Sequence, residues 1–592
     1  MENGGERAKR RVGDRVSASN GLALSPRLPL SLSRYLPLSI PLAFLALFYF
    51  YPLLGILHTS LATGSGLAAL RAAFRGSYVP GVLWFTVWQA ALSTAITLVV
   101  GLPGAYLFAR YRFRGKRLLR ALTAVPFVMP TVVVAAGFNA LLGPNGWVNL
   151  GLVSALGLEE PPLVLTNSIW AILLAHVFYN TTIVLRIVGD FWARLDPRTG
   201  QAARVLGASR WSAFWSVTAP LLAPAVLAAL LLIFIFDFTS FGVVLLLGGP
   251  RFTTLEVAIY RETVSFFDLP AAAVLSLLQL LCTLGLTVAY TRLAARVARP
   301  LHMRPPAALR RALQRWRARL FGAVVIVGLL ALLVAPLGAL ALRSVIKLTA
   351  DRGERGPVAT GFTGAYYREL FVNRRQSLFF VTPIQTVGIS LRNAGLTVLL
   401  SLALGVPAAW VLARPAAQRT AGWLDPILML PLGTSAVTLG FGFILTFNRP
   451  PLALRASPWL LPLAHTLVAF PFVVRSLLPA WQRVRPRLRD AAAVLGAGPL
   501  RVWREVDLPL VARAGLVAAA FAFTISLGEF GATALLTRPE FPTLPVAIFR
   551  RLSQPGALNY GQAMALSTIL MALCTAGILA IESLRVGDVR EF

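Results

Sequence analysis

The chain has 592 residues, 57% of them hydrophobic and 13% charged, with a mean hydropathy of +0.71. A soluble globular protein carries about 25% charged residues, so the density here is about half the usual one. Basic residues number 56 against 23 acidic ones, for +33 at pH 7, yet the hydropathy excludes a disordered or nucleic-acid-binding soluble protein. An all-α polytopic membrane protein is expected, with apolar residues enough for a dozen spans of roughly 20 residues each. All but three of the basic residues (Lys9, Lys116, Lys347) are Arg, which a GC-rich genome explains. Cys282 and Cys574 lie in apolar runs without CxxC or Cys/His spacing, so no metal site or bound cofactor is expected.

In chain order, residues 1–34 are a polar tail in which Arg7, Lys9, Arg10, Arg11 and Arg15 precede an apolar stretch too long for a cleaved signal. Apolar windows then predict twelve spans. Six lie near 36–58, 82–109, 121–142, 166–188, 218–247 and 270–291. Six more lie near 321–342, 388–413, 424–447, 459–480, 510–537 and 560–582. Domain boundaries follow: the tail 1–34, a first half 35–291, an Arg-rich linker 292–320 and a second half 321–592.

Short-loop charge orients the spans. Residues 110–120 carry six basic side chains and no acid, whereas 143–165 carry none and hold Glu159 and Glu160. Residues 292–319 carry nine basic side chains without an acid, which suits a cytoplasmic linker or amphipathic surface helix, not a nucleic-acid patch. Both chain ends are thereby expected in the cytoplasm. The 343–387 loop, with seven basic residues on the outer side, is the exception, and at its length it weighs little in the rule.

The chain also repeats itself. Residues 176–262 align with 465–551 at a constant offset of 289. His176 falls on His465, QAARVLGA (201–208) on DAAAVLGA (490–497), and LEVAIYR (255–261) on LPVAIFR (544–550). GLPGAYLFAR (101–110) matches GVPAAWVLAR (405–414) after an indel. Two six-span units in like orientation form a parallel repeat, with a translocation path expected between them.

The inner loop between the fourth and fifth spans of each unit, 190–220 and 479–509, is the most informative segment. Ala202, Ala203 and Leu206, like Ala491, Ala492 and Leu495, sit at helical spacing, and Gly207 or Gly496 closes the stripe. Such a short helix suits a groove on another protein. Pro220 and Pro509 are expected to restart the chain at the first turn of the next span.

An acidic residue, Ala-Ala, a Gly about five positions on and a Pro thirteen beyond it resemble the "EAA" loop of ABC importer permeases. That resemblance implies the type I importer permease fold in a bacterial inner membrane. It also implies coupling helices docked on two copies of a cytoplasmic ATPase, and cargo handed over by an extracytoplasmic binding protein. The acidic position is Asp490 in the second copy but Gln201 in the first, so the two docking sites are expected to be energetically unequal. With no GxxxxGK[ST] in the chain, ATP belongs to the partner, and this chain is expected to have no catalytic residues.

Ionisable residues within spans are functional candidates. Asp237 and Glu529 occupy the same repeated helix at different positions, Asp237 opposite Ser526 and Glu529 opposite Ser240. They lie 17 and 20 residues beyond Pro220 and Pro509. That is roughly 25–30 Å of helix, in the outer part of the bilayer, where they would favour a cation or hold a gate. His176 and His465 join them as path or gate candidates, although hydrogen-bonded packing explains all six residues as well. The fused layout resembles thiamine and ferric-iron permeases, and FTSFGVVLLLGGPRFTTLEVAIY (238–260) the thiamine branch. SLGEFGATALL (526–536) also resembles molybdate and sulfate permeases. A twelve-span secondary carrier shares the symmetry but has no reason to hold two EAA-type loops.

Overall fold

The computed structural model describes residues 36–62, 75–123, 125–297, 311–348, 361–373, 381–414, 418–448, 450 and 452–586. The first half runs α1 (Leu36–Leu61), α2 (Tyr78–Arg110), α3 (Thr131–Leu142), α4 (Ile169–Arg194), α5 (Arg210–Phe238) and α6 (Leu269–Leu293). The second repeats the series as α7 (Trp316–Leu333), α8 (Gln385–Leu412), α9 (Ala436–Thr446), α10 (Leu460–Arg483), α11 (Pro499–Gly528) and α12 (Ala557–Ile581). Ten of these are long and apolar enough to cross a membrane. The tail 1–34 lies outside the described residues, as do residues 298–310 of the linker.

The third span of each half departs from the expected continuous helix. In the second half Trp423–Gly433 and α9 meet at 92°. In the first, the segment is cut into Lys116–Leu122, Val125–Val128 and α3. Pro130 and Pro431 stand at the cuts, each without an N–H to continue the preceding helix, whereas Pro126 and Pro426 are accommodated inside Val125–Val128 and Gln418–Met429. The fifth spans, expected over 218–247 and 510–537, end early at Phe238 and Gly528 and resume as the short helices Gly242–Leu247 and Gly531–Leu536. The seventh, expected over 321–342, breaks at Val334 before Ala335–Arg343.

Within each half, α2, α4 and α5, or α8, α10 and α11, form one packed layer. The halves then exchange partners. Helix α1 packs on α9 of the other half, and Ala335–Arg343 packs on α3. Glycine permits both crossings: a Cβ on Gly442 would stand 3.0 Å from Pro52 Cβ, and one on Gly137 2.9 Å from the Pro336 carbonyl oxygen. Close backbone approach through small residues is how membrane helices associate where lipid removes the hydrophobic drive. Polar contacts bind the same exchange, Tyr49 Oη to Thr434 Oγ1 at 2.7 Å and Trp147 Nε1 donating to the Ala339 carbonyl at 3.2 Å.

Tyr111–Arg112 pairs in parallel with Arg311–Ala312, so the two basic loops expected on one side of the bundle do share a side. In the 343–387 loop, Ile346–Lys347 pairs antiparallel with Gly361–Phe362, and the Tyr366 ring packs against Gly561 of α12.

Candidate functional site: two coupling loops and an aromatic seal

Arg198–Val205 and Pro486–Val494 are the short helices of the two inner loops. Neither is buried, and both end alike. Gly207 and Gly496 take φ of +93° and +84°, while the N–H groups of Ala208 and Ala497 reach back to Ala203 and Ala492 at 3.0 Å. This is a Schellman end, which the left-handed glycine permits. Each helix thereby presents an apolar tip to solvent, Val205 and Leu206 or Val494 and Leu495, all 87% exposed. Gln201, Ala202, Asp490 and Ala491 lie exposed on the same helices, with Ala203 and Ala492 half-buried.

The loops are shorter than 190–220 and 479–509, since α4 and α10 run to Arg194 and Arg483 and the next spans begin at Arg210 and Pro499. Pro220 and Pro509 do not start those spans. They sit inside continuous helices, just after the π turns Phe214–Thr218 and Trp503–Asp507. A widened turn opens the hydrogen-bond ladder where proline has no N–H to offer.

The six polar candidates inside the membrane form two clusters at the breaks after α5 and α11. His176 Nε2 contacts Ser240 Oγ at 2.7 Å, and its Nδ1 lies 3.6 Å from Asp237 Oδ1. His465 Nδ1 contacts Ser526 Oγ at 2.8 Å, and its Nε2 lies 2.8 Å from Thr533 Oγ1 and 3.4 Å from Glu529 Oε2. Each histidine thus bridges the same two repeat positions, with carboxylate and serine exchanged between halves. Ser240, His176 and Asp237 have the residue types of a hydrolase triad, but 3.6 Å is too long for a hydrogen bond. Asp237 Oδ1 is taken instead by Asn180 Nδ2 at 2.6 Å. Glu529 accepts from the N–H groups of Ala532 and Thr533 at 2.8 and 3.0 Å, and so caps Gly531–Leu536. All four charged or imidazole groups are buried, which makes them fasteners of the breaks in this conformation.

Helices α2 and α8 supply the remaining fasteners. Gln89 Nε2 donates to the Asp237 carbonyl at 2.8 Å. Thr86 Oγ1 accepts from Leu255 N at 3.0 Å, and its counterpart Ser390 Oγ from Leu544 N at 2.7 Å. These hydroxyls take up N–H groups at the starts of Leu255–Val264 and Leu544–Leu552.

Immediately after each cluster stands a phenylalanine. Phe241 and Phe530 are equivalent at the 289 offset, and their rings stack across the halves at 5.5 Å and 27°. Each also meets the equivalent ring of its own half, Phe241 with Tyr260 at 5.3 Å and Phe530 with Phe549 at 5.5 Å. The four rings make one row that runs across the contact between the halves. Sequence reading passed over them because a phenylalanine in an apolar run carries no signal. Their repeat equivalence, between a carboxylate position and a glycine, was the available clue. Glu256 was also missed. It is buried beside the row, accepts from Gln279 Nε2 at 3.1 Å and bonds Ser435 of the other half, while Pro545 stands at its repeat position.

Residues 97–299 match the family described as binding-protein-dependent transport system inner membrane component. That stretch is an ABC importer permease component, and the 289-residue repeat carries its pattern, inner loop included, into the second half of the same polypeptide. It is similar to the thiamine transport system permease protein of Escherichia coli, 29% identical over 90% of this chain and 96% of that one. The thiamine transport system permease protein of Brucella abortus is 29% identical over 88% of this chain and 90% of its own. A probable ABC transporter permease of Sinorhizobium fredii is 28% identical over 92% and 95%. Permeases of this family work with an ABC ATPase and a substrate-binding protein.

Proposed function

We propose that this permease conducts thiamine across a bacterial inner membrane, with both chain ends in the cytoplasm. Two copies of a cytoplasmic ATPase dock on the apolar tips Val205–Leu206 and Val494–Leu495. An extracytoplasmic binding protein delivers the cargo. No cofactor is held by this chain, and ATP is consumed by the ATPase.

The row Tyr260, Phe241, Phe530, Phe549 carries the reading from the side of geometry. Stacked rings that part on ATPase closure offer π faces to a flat aromatic cation. Asp237, Glu256 and Glu529 around the row favour a cation over an oxyanion such as molybdate. The similarity to thiamine permeases supports thiamine over ferric iron.

Reconstituted permease and ATPase test this directly. Thiamine-loaded binding protein is expected to stimulate ATP hydrolysis, and iron-loaded or molybdate-loaded protein to leave it at the basal rate. Stimulation by either of the latter alone would assign the cargo elsewhere.

A further inference from the structure

The repeat allows one half to serve as the control for the other, and the two inner loops differ at a few charged positions. In the second half Arg489 Nε donates to Asp507 Oδ1 at 2.7 Å, and the Arg489 guanidinium lies 6.0 Å from the centre of the Trp481 ring. At the repeat positions the first half has Gly200, Thr218 and Trp192. Ion pair and guanidinium are both missing there, and a cavity of about 240 Å³ opens between the coupling helix and the cytoplasmic ends of α2, α4 and α5. Tyr106, Trp192 and Phe214 form its aromatic wall, and Arg110, Arg204 and Arg210 line it with positive charge.

Part of that charge is peculiar to the first half. Arg110 has its repeat equivalent in Arg414, but Arg204 and Arg210 fall on Ala493 and Pro499, so the second half has neither of these two guanidiniums, and the Arg489–Asp507 pair stands where the first half has Gly200 and Thr218. Asp196 is the one carboxylate among the lining residues, leaving an excess of cationic groups. Guanidinium forks match the oxygens of phosphate in paired hydrogen bonds, and an aromatic wall accepts an apolar substituent beside them. The volume exceeds what one small ion fills.

We propose that this cavity is a binding site for a phosphate ester, present once per permease and only behind the first coupling helix. It is distinct from the translocation path. A ligand there holds Arg198–Val205 against α5, and so acts on one of the two ATPase contacts. The ester belongs to an anionic phospholipid of the inner leaflet or to a soluble cytoplasmic metabolite, and the two sources separate experimentally.

The test uses the full permease with its ATPase in nanodiscs of phosphatidylcholine. Phenyl phosphate binding is measured by calorimetry, and retention of added phosphatidylglycerol by native mass spectrometry. Saturable binding of one equivalent of either probe is expected. Arg204→Gln with Arg210→Gln should weaken it about tenfold or more, from the loss of hydrogen bonds to a charged group. Gly200→Arg with Thr218→Asp, which installs the second half's plug, should abolish it in complexes that still assemble with the ATPase. Phenyl phosphate alone identifies a soluble ester, phosphatidylglycerol alone a lipid. Arg489→Gly with Asp507→Thr gives the second half the first half's residues at those positions without counterparts of Arg204 and Arg210, and no second equivalent is expected. Neither probe distinguishing wild type from both first-half variants, as when the ATPase itself fills the cavity, would overturn the proposal. So would a second equivalent in that second-half variant.

Discussion

At the scale of single residues, the two histidines hold the same place but make different numbers of bonds. His465 uses both ring nitrogens, on Ser526 and Thr533, whereas His176 has one short partner in Ser240. Replacing His465 with Ala is therefore expected to destabilise the permease by about 1 kcal/mol more than His176→Ala, read as the difference in thermal midpoints in detergent. Equal losses would mean that packing, not hydrogen bonding, sets the value of these rings. Glu529→Ala removes the acceptor of two buried N–H groups at the start of Gly531–Leu536 and should cost about 1–3 kcal/mol. Glu529→Gln keeps one acceptor oxygen and should cost less. Asp237 and Glu529 were legible in the sequence because charge inside an apolar run is conspicuous. Their present duty, pinning a helix break, was not, because Asp237 depends on Asn180, 57 residues away, and the cap that Glu529 makes on Ala532 and Thr533 exists only where the helix breaks.

The elements show where periodicity and composition stop being informative. The repeat, the two coupling helices and the positions of most spans followed from apolar windows and glycine placement. The third and fifth spans did not, since hydropathy averages over a break that costs only a few unsatisfied backbone groups when neighbouring side chains take them up. The exchange of α1 and Ala335–Arg343 between halves was likewise invisible, because it turns on which small residue meets which proline. Gly137→Leu and Gly442→Leu would force a side chain into Pro336 and Pro52. Each is expected to lower stability by about 1–3 kcal/mol and to loosen the halves, seen as increased protease nicking. Gly328→Ala, with nothing within 4 Å of the added carbon, should leave stability unchanged or slightly raised. In the coupling loops, Gly207→Ala and Gly496→Ala impose left-handed backbone on a residue with a Cβ, at about 1–2 kcal/mol each. Reduced ATPase recovery in a pull-down with the double variant is the expected result.

For the molecule as a whole, the proposed function places the gate at the row of four rings between the halves. Replacing Phe241 and Phe530 together by Ala removes the ring stack that joins the halves within the row. ATP hydrolysis is then expected to proceed without the binding protein, because closure no longer waits for cargo. Hydrolysis that still depends on loaded binding protein would place the barrier elsewhere in the bundle. Part of the excess of +33 now has a location: the basic loops at 110–120 and 292–319 meet on one side of the bundle, while Asp237, Glu256 and Glu529 are buried. The most direct measurement is accumulation of labelled thiamine in proteoliposomes holding the permease, its ATPase and the binding protein. Accumulation is expected with ATP on the ATPase side and not with ADP, and is expected to fail in the Phe241→Ala, Phe530→Ala double variant. Equal accumulation with ATP and ADP, or none in the wild type with thiamine-loaded binding protein present, would contradict a thiamine importer driven through this seal.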